Sequence, residues 1–545
     1  MISCRHGCVV RSLRSTSRSK PLSLYGSNSH RQGTVLLIVL VVVVLLSLTA
    51  YSFTTLMQTE REATQLMTRQ LQSKYLIDSG IDYTRLLLSY DDATINEKGG
   101  LWDNEAFFNV MVSADQDDSD TIGRFTIVAP GVDEEGRPEG FRYGLVDESS
   151  RLNLNVLPII DNYPPGGSAR QLLMALPEMN EEIADSILDW LDEDDEPRDF
   201  GVEAEYYEGL PNPYLCKNGP MDSLDELLLV KGVTPQLLFG NDINRNGIID
   251  QGENQSDSSL DSELQLGWSN YLTLFSKESN LSDEGLVRVN INNPDLERLY
   301  EDLGSSFNDE WRLFIVMARV NGLMSIEQLE EGVEPVENVP FVDLDFDTLE
   351  STTTFNQVLD LIGAFTTMQD PESGESIVLA SPLQVGPTIG LNLLTAMENM
   401  TTFEGETIPG RINIMQAPRL IMLGIPGFDE ELVDEIISKR AGDFELLDPQ
   451  GADLNRKHET WLLTEGLIDL PTMQSVLPFI CTGGDVYKAE VVGYFEDLVG
   501  TSRAEVYLDS TQPLPRILFW RDKSHLQSGY DIDVLGRDLI VDETQ

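Results

Sequence analysis

The stretch DINRNGIIDQGE carries the most specific chemical pattern in the chain. Asp242, Asn244 and Asn246 stand at positions 1, 3 and 5 of a twelve-residue loop, with Gly247 at 6, Ile248 at 7, Asp250 at 9 and Glu253 at 12. This is the spacing of an EF-hand calcium loop, in which side-chain oxygens, one backbone carbonyl and a bidentate glutamate surround a hard cation while a glycine makes the sharp turn. The competing reading is a polar turn in an acid-rich chain. Flanking helices are not evident, because NQSDSSLDSE follows. A dockerin-like loop that stiffens local structure is therefore expected, rather than a paired switch. A second crowd of carboxylates lies in DWLDEDDEPRDFGVEAEYY, at Asp189, Asp192, Asp194, Asp195, Glu203 and Glu205. Carboxylates held close repel one another, and a divalent ion relieves that repulsion. A solvated helix end is the plain alternative. One or two calcium ions are expected in all.

Other chemistries are poorly supplied. The chain has 37 Lys plus Arg against 92 Asp plus Glu, a net charge of −55. That balance argues against nucleic-acid binding, which needs cations facing phosphates. It suits solubility, divalent cations or basic partners. Apolar residues at 41% suffice for real cores. Beyond residue 33 only His458 and His525 remain, so neither a histidine-rich zinc site nor a Ser-His-Asp triad is provided for. No phosphate loop, nucleophile elbow or metalloprotease helix occurs, and no enzyme is expected. Cys4 and Cys8 lie near the N-terminus. Cys216 and Cys481 could pair in an oxidising compartment or stay free, because separation in sequence says nothing about proximity.

The elements that must position these groups begin with HRQGTVLLIVLVVVVLLSLTAYSF. Residues 1–33 hold Arg5, Arg11, Arg14, Arg18, Lys20 and Arg31 and no acid, whereas residues 34–57 hold no charge. About 20 apolar residues span a bilayer as a helix, and the basic leader places the remainder across the membrane. A secretory signal, a plain anchor and a prepilin leader cut after Gly33 compete. The third resembles the type IV prepilin signal, because helical spacing continues through Ala63, Met67, Leu71, Tyr75, Ile77, Ile81 and Leu88, with no Pro between Thr34 and Tyr90. The fifth residue after the cut is Ile38, where most prepilins carry Glu.

RFTIVAP and FRYGLVDE read as strands around the turn DEEGRPEG, and VYKAEVVGYFED, RAEVYLD and RILFWR read as strands that return to the same sheet. Between them RLNLN, RVNIN and RINIM repeat an Arg-apolar-Asn-apolar core. ALPEMNEEIADSIL aligns with GIPGFDEELVDEII, with Asn180 and Asp429 as helix N-caps. Helix–turn–helix modules of helix-hairpin-helix or SAM-like kind follow, and the acids in their turns would repel phosphate, which argues against a DNA partner. The fold class expected is α+β: a pilin-like long N-terminal helix and antiparallel sheet, interrupted by a large α-helical insertion.

These residues carry a resemblance. The acid-free start, YGLVDESSRLNLN, ADSILDWLDEDDEPRDFGVEAEYY, LDELLLVKGV and GRINIMQAP occur in the order seen in type II secretion system protein K, the large minor pseudopilin. The resemblance implies a leader at 1–33 and a membrane half-helix at 34–57. It implies an amphipathic helix with the first sheet strands at 58–158 and an inserted helical domain at 159–400. A second module would lie at 401–480 and the closing strands at 481–545. It implies cleavage after Gly33, methylation of Thr34 and calcium in the inserted domain. It implies initiation and capping of a periplasmic pseudopilus for protein export. The expected partners are other minor pseudopilins, prepilin peptidase and the inner-membrane assembly platform; the expected location is a single pass of the inner membrane with a periplasmic head. A minor pilin of a type IV filament and a membrane-anchored extracellular calcium-binding protein are the alternatives.

Overall fold

The computed structural model describes residues 32–113, 122–133, 138–163, 167–250, 253, 265–282, 284–329, 335–336, 344–370, 374–384, 389–444, 456–495, 500–526, 529–531 and 534–536. The leader expected at 1–33 lies outside these residues up to position 31. The chain divides into two compact units, Met1–Met67 and Thr68–Gln545. In the first, helix α1 (Gln32–Leu87) begins beside Gly33 and runs unbroken into the second. Val35, Leu40, Val44 and Leu48 are exposed along it, and the helix is long and apolar enough to cross a membrane.

In the second unit the helix becomes amphipathic. Ile77, Ile81, Leu87 and Leu88 are buried, whereas Leu71, Tyr75 and Leu86 are exposed. The buried stripe packs on an antiparallel sheet whose strands, numbered in chain order, are β1 (Val110–Ser113), β2 (Gly123–Val132), β3 (Pro138–Tyr143), β4 (Val146–Asp147), β5 (Val486–Phe495), β6 (Ser502–Asp509) and β7 (Arg516–Asp522). Their order is β1-β2-β5-β6-β7, with β3 also on β2 and β4 on β5. Phe125, Ile127, Val491, Ala504, Val506 and Leu508 meet the helix on one face. Thus strands more than 350 residues apart in sequence are direct neighbours: Val491 pairs with Ile127.

Edge strand β7 is tied to α1 at both ends. Lys74 Nζ donates to Asp522 at 2.8 Å, and Arg85 Nε donates to the Pro515 carbonyl at 3.1 Å. Burial alone would raise the Asp522 pKa; the Lys74 ammonium and Ser524 outweigh it and hold the group at about 2. A depressed carboxylate stabilises the fold above its unfolded pKa of about 4, and loses that contribution as pH falls through the folded value. Asp522→Asn is therefore expected to lower the melting temperature at neutral pH. The difference from the parent protein should shrink as pH falls from about 4 towards 2. Both partners are partly solvated, so the effect is small.

The helical insertion is organised by the Arg-apolar-Asn repeat. Leu152–Asn153 pairs in parallel with Leu272–Thr273, Val289–Asn290 with Met400–Thr401, and Ile412–Asn413 with Ile480–Cys481. Each repeat thus opens a module that its own downstream chain closes. The asparagine is required by the turn that follows. Asn153, Asn290 and Asn413 each accept, through Oδ1, the backbone N–H two residues on, at 3.0, 2.9 and 2.9 Å. Inside the modules a short helix is followed by a longer one: Ser168–Met174 then Glu181–Leu191, Leu296–Leu303 then Asp309–Asn321, and Arg419–Leu423 then Glu430–Phe444. Asn180, Asn308 and Asp429 cap the longer helices at residues 183, 311 and 432. The three modules share one core that includes Trp190, Trp268, Phe314 and Trp461. The middle module ends at Thr401 and includes a hairpin of Phe365–Gln369 with Ser376–Ala380.

Candidate metal centres and their setting

The 242–253 loop follows the helix Pro235–Phe239. Asp242 is buried and accepts backbone N–H groups from Asn246 at 3.0 Å and Gly247 at 2.8 Å. Glu253 closes the loop, accepting through Oε1 from the backbone of Ile243 and Asn244 at 2.9 and 3.0 Å, and through Oε2 from Asp250 at 3.2 Å. Asp250 Oδ2 receives Nδ2 of Asn244 and of Asn246 at 2.7 and 3.2 Å. Gly247 has φ +82°, and a Cβ there would lie 2.7 Å from Pro130, so only glycine suits the turn. The oxygen donors of Asp242, Asn244, Asn246, Asp250 and Glu253, with the Ile248 carbonyl, fit a hard cation. Burial, and next the Glu253 charge, push Asp242 up to about 6.

The second cluster is sorted by Arg198. That guanidinium bonds Asp189 at 3.0 Å and also pairs with Asp192. Asp189 is thereby ion-paired. Asp195 accepts from Asn218, and Glu205 lies exposed in the helix Ala204–Glu208. The structure brings together Asp192, Asp194 and Glu203, each offering an oxygen within 4.8 Å of the others. Glu203 is 6% exposed; among the described residues its carboxylate faces the Cys216 thiol and no nitrogen or hydroxyl donor, and Oδ1 of Asp192 has no partner. Burial first, then the charges of Asp189 and Asp192, push Glu203 up to about 7. Of the six acids expected here, three converge and three have other roles.

The disulfide considered for Cys216 and Cys481 does not form; both are free thiols. Cys481 is buried in the closing bridge of the third module, while Cys216 packs at the margin of the first. Burial, and then the nearby Glu203, push the Cys216 thiol up to about 11.

One group was not anticipated. On the sheet face away from α1, Glu490 and Glu505 stand directly opposite each other. Arg503 lies 3.1 Å from Glu490; Lys523 lies 3.1 Å from Glu490 and 2.6 Å from Glu505; Lys488 lies 3.3 Å from Glu505. Against burial, Lys523 and Lys488 hold Glu505 well below the usual carboxylate range. The signal was present as charges at alternate positions, Lys488 with Glu490 and Arg503 with Glu505, inside otherwise apolar strands.

The family match to known proteins falls on the first module. A family model described as type II secretion system (T2SS), protein K matches residues 150–239, which contain the Asp192, Asp194 and Glu203 cluster and end before the 242–253 loop. A type II secretion system protein K of Aeromonas hydrophila is 46% identical over 57 residues, 10% of this chain. The matched part spans 17% of that relative's length. A solved GspK-GspI-GspJ complex from enterotoxigenic Escherichia coli aligns over 85% of this chain and 98% of the other, at 10% identity and a TM-score of 0.34. The first module thus resembles part of a secretion-system component. Specifically, residues 150–239 match the model of type II secretion system protein K, and a shorter stretch is similar to a protein of that name.

Proposed function

We propose that this chain is a minor pseudopilin of a type II secretion system that initiates and caps the periplasmic pseudopilus. The observation that carries the reading is a segment matching the protein K model, which lies in sequence between strands of one sheet whose helix, α1, begins with an uncharged stretch behind a basic leader. Prepilin peptidase would cut after Gly33 and methylate Thr34. The inner-membrane platform would then extract the helix into a filament. A carboxylate in lipid needs a partner; Ile38 offers none to a subunit above, and the helical modules, SAM-like in arrangement, add bulk that blocks stacking. Sibling pseudopilins would dock along the exposed side of α1, at Leu71 and Tyr75. Loss of the gene is expected to abolish export of the system's cargo while the other pseudopilins are still made. Normal export, or filaments extending past this subunit, would overturn the reading.

Calcium is assigned to the 242–253 loop, and a second ion to Asp192, Asp194 and Glu203. Its chemistry there is structural: it would cancel carboxylate repulsion and fix the loop. A ligand that binds only the folded state adds about 2.7 kcal/mol at 100 times its Kd. Calcium titration is expected to raise the melting temperature. Glu253→Gln should remove the loop's share and Glu203→Gln the other, each checked by scanning calorimetry with and without a chelator.

A further inference from the structure

The 242–253 loop does not merely sit near the sheet. Arg503 Nη2 donates to the Asn244 carbonyl, and Lys523 Nζ donates to the Arg245 carbonyl at 2.8 Å. Asn246 Nδ2 donates to the Gly529 carbonyl at 2.5 Å. Ile248 packs on a small cluster formed by Val128, Val492, Tyr494, Tyr530, Val534 and Leu535. Arg245 faces Asp225 at 3.6 Å, and Asp225 also pairs with Arg521 at 3.0 Å. Loop, sheet face and C-terminal segment are therefore joined through the same few groups.

Charge explains why this junction is poised. The loop brings three carboxylates: Asp242, Asp250 and Glu253. Beneath it, Lys488, Arg503 and Lys523 pair with Glu490 and Glu505, and Lys523 also acts on Asp242. The surplus cation, with Arg245 of the loop, offsets part of the loop's negative charge, and a divalent ion would offset more of it. Without that ion the loop's own repulsion works against the carbonyl contacts that Arg503 and Lys523 make.

We infer that calcium in the 242–253 loop fastens the helical insertion to the sheet face away from α1, with Arg503 and Lys523 as positioning residues that hold the loop's carbonyls. This rests on the calcium assignment above. Metal occupancy then controls the order of β6, β7 and the segment carrying Gly529, Tyr530, Val534 and Leu535, far along the chain from the loop.

The test uses the full chain in detergent. Terbium luminescence, compared with Glu253→Gln, reports whether the loop binds a metal of calcium's size. Hydrogen exchange read by mass spectrometry then compares calcium with chelator. Exchange is expected to rise about tenfold or more on chelation in β6, β7 and the peptide carrying Tyr530, with Glu253→Gln behaving as chelated protein even in calcium. Arg503→Gln should weaken metal binding at the loop by about tenfold or more, and Arg503→Lys should recover much of it. If terbium binds the loop but exchange in those strands does not change on chelation, the fastening role is overturned while the calcium assignment stands. If terbium does not bind the loop, both fall. The wild-type comparison needs no variant to fold.

Discussion

Arg411→Met is expected to destabilise the protein by roughly 3–5 kcal/mol, enough to abolish folding in a marginal domain. Arg411 opens the third module and lies between two buried carboxylates, 2.7 Å from Glu278 and 2.6 Å from Glu459. Its side chain is 10% exposed, that of Glu278 10% and that of Glu459 3%. Methionine keeps much of the packing, but it removes the cation that directly bonds two neighbouring buried acids and leaves them with the charge of Arg288 nearby. Desolvation of an unpaired charge costs more than the pair itself contributes, which is why one-sided removal is severe. Denaturant titration measures the loss. Adding Glu278→Gln and Glu459→Gln to the Arg411→Met variant should recover much of it, because the stranded charges are then removed. A loss below about 1 kcal/mol for Arg411→Met would mean the cluster is solvated.

Gly493→Val should cost about 3 kcal/mol or more and detach α1 from the sheet. A Cβ at Gly493 would lie 2.3 Å from the Ser73 carbonyl oxygen and 3.0 Å from Cβ of Leu76. The obstacle is helix backbone, which cannot rotate away as a side chain can. The same close approach recurs where a Cβ at Gly80 would meet Val491 at 2.5 Å and one at Gly123 would meet Leu76 at 2.7 Å. Helix and sheet thus meet through glycines on both sides. Loss of protection in the Ser73–Leu87 part of the helix, read by hydrogen exchange, distinguishes detachment from general unfolding. A variant that keeps that protection would contradict the geometry.

Much of this architecture was legible in the residues, for identifiable reasons. The unbroken apolar and then amphipathic run specified α1, because a run without Pro and with 3.6-residue spacing has few other solutions. RFTIVAP, VYKAEVVGYFED, RAEVYLD and RILFWR became β2, β5, β6 and β7 of one sheet. The Arg-apolar-Asn repeat marked module openings. That each would be closed by a two-residue parallel bridge was not readable, since the partners Leu272, Met400 and Ile480 share no local pattern and are set by tertiary pairing. The close approach at Gly493 was likewise invisible, because sequence does not say which glycine faces a helix.

The sites divide in the same way. Spacing alone singled out the 242–253 loop as a calcium candidate, because an EF-hand-type template is read along one short segment. The acidic cluster could be located but not sorted. Six carboxylates lie close in sequence, and only the fold shows that Arg198 takes Asp189 while Glu203 is buried beside the Cys216 thiol. The possible pairing of Cys216 with Cys481 failed for the complementary reason: each thiol belongs to the wall of a different module, and cysteine count carries no distance.

Mass spectrometry of the N-terminal peptide of the membrane-extracted protein tests the pseudopilin reading most directly. The account expects a chain that starts at Thr34 with one added methyl group on its amine. A retained basic leader, or a start beyond the apolar run near residue 57, would contradict it.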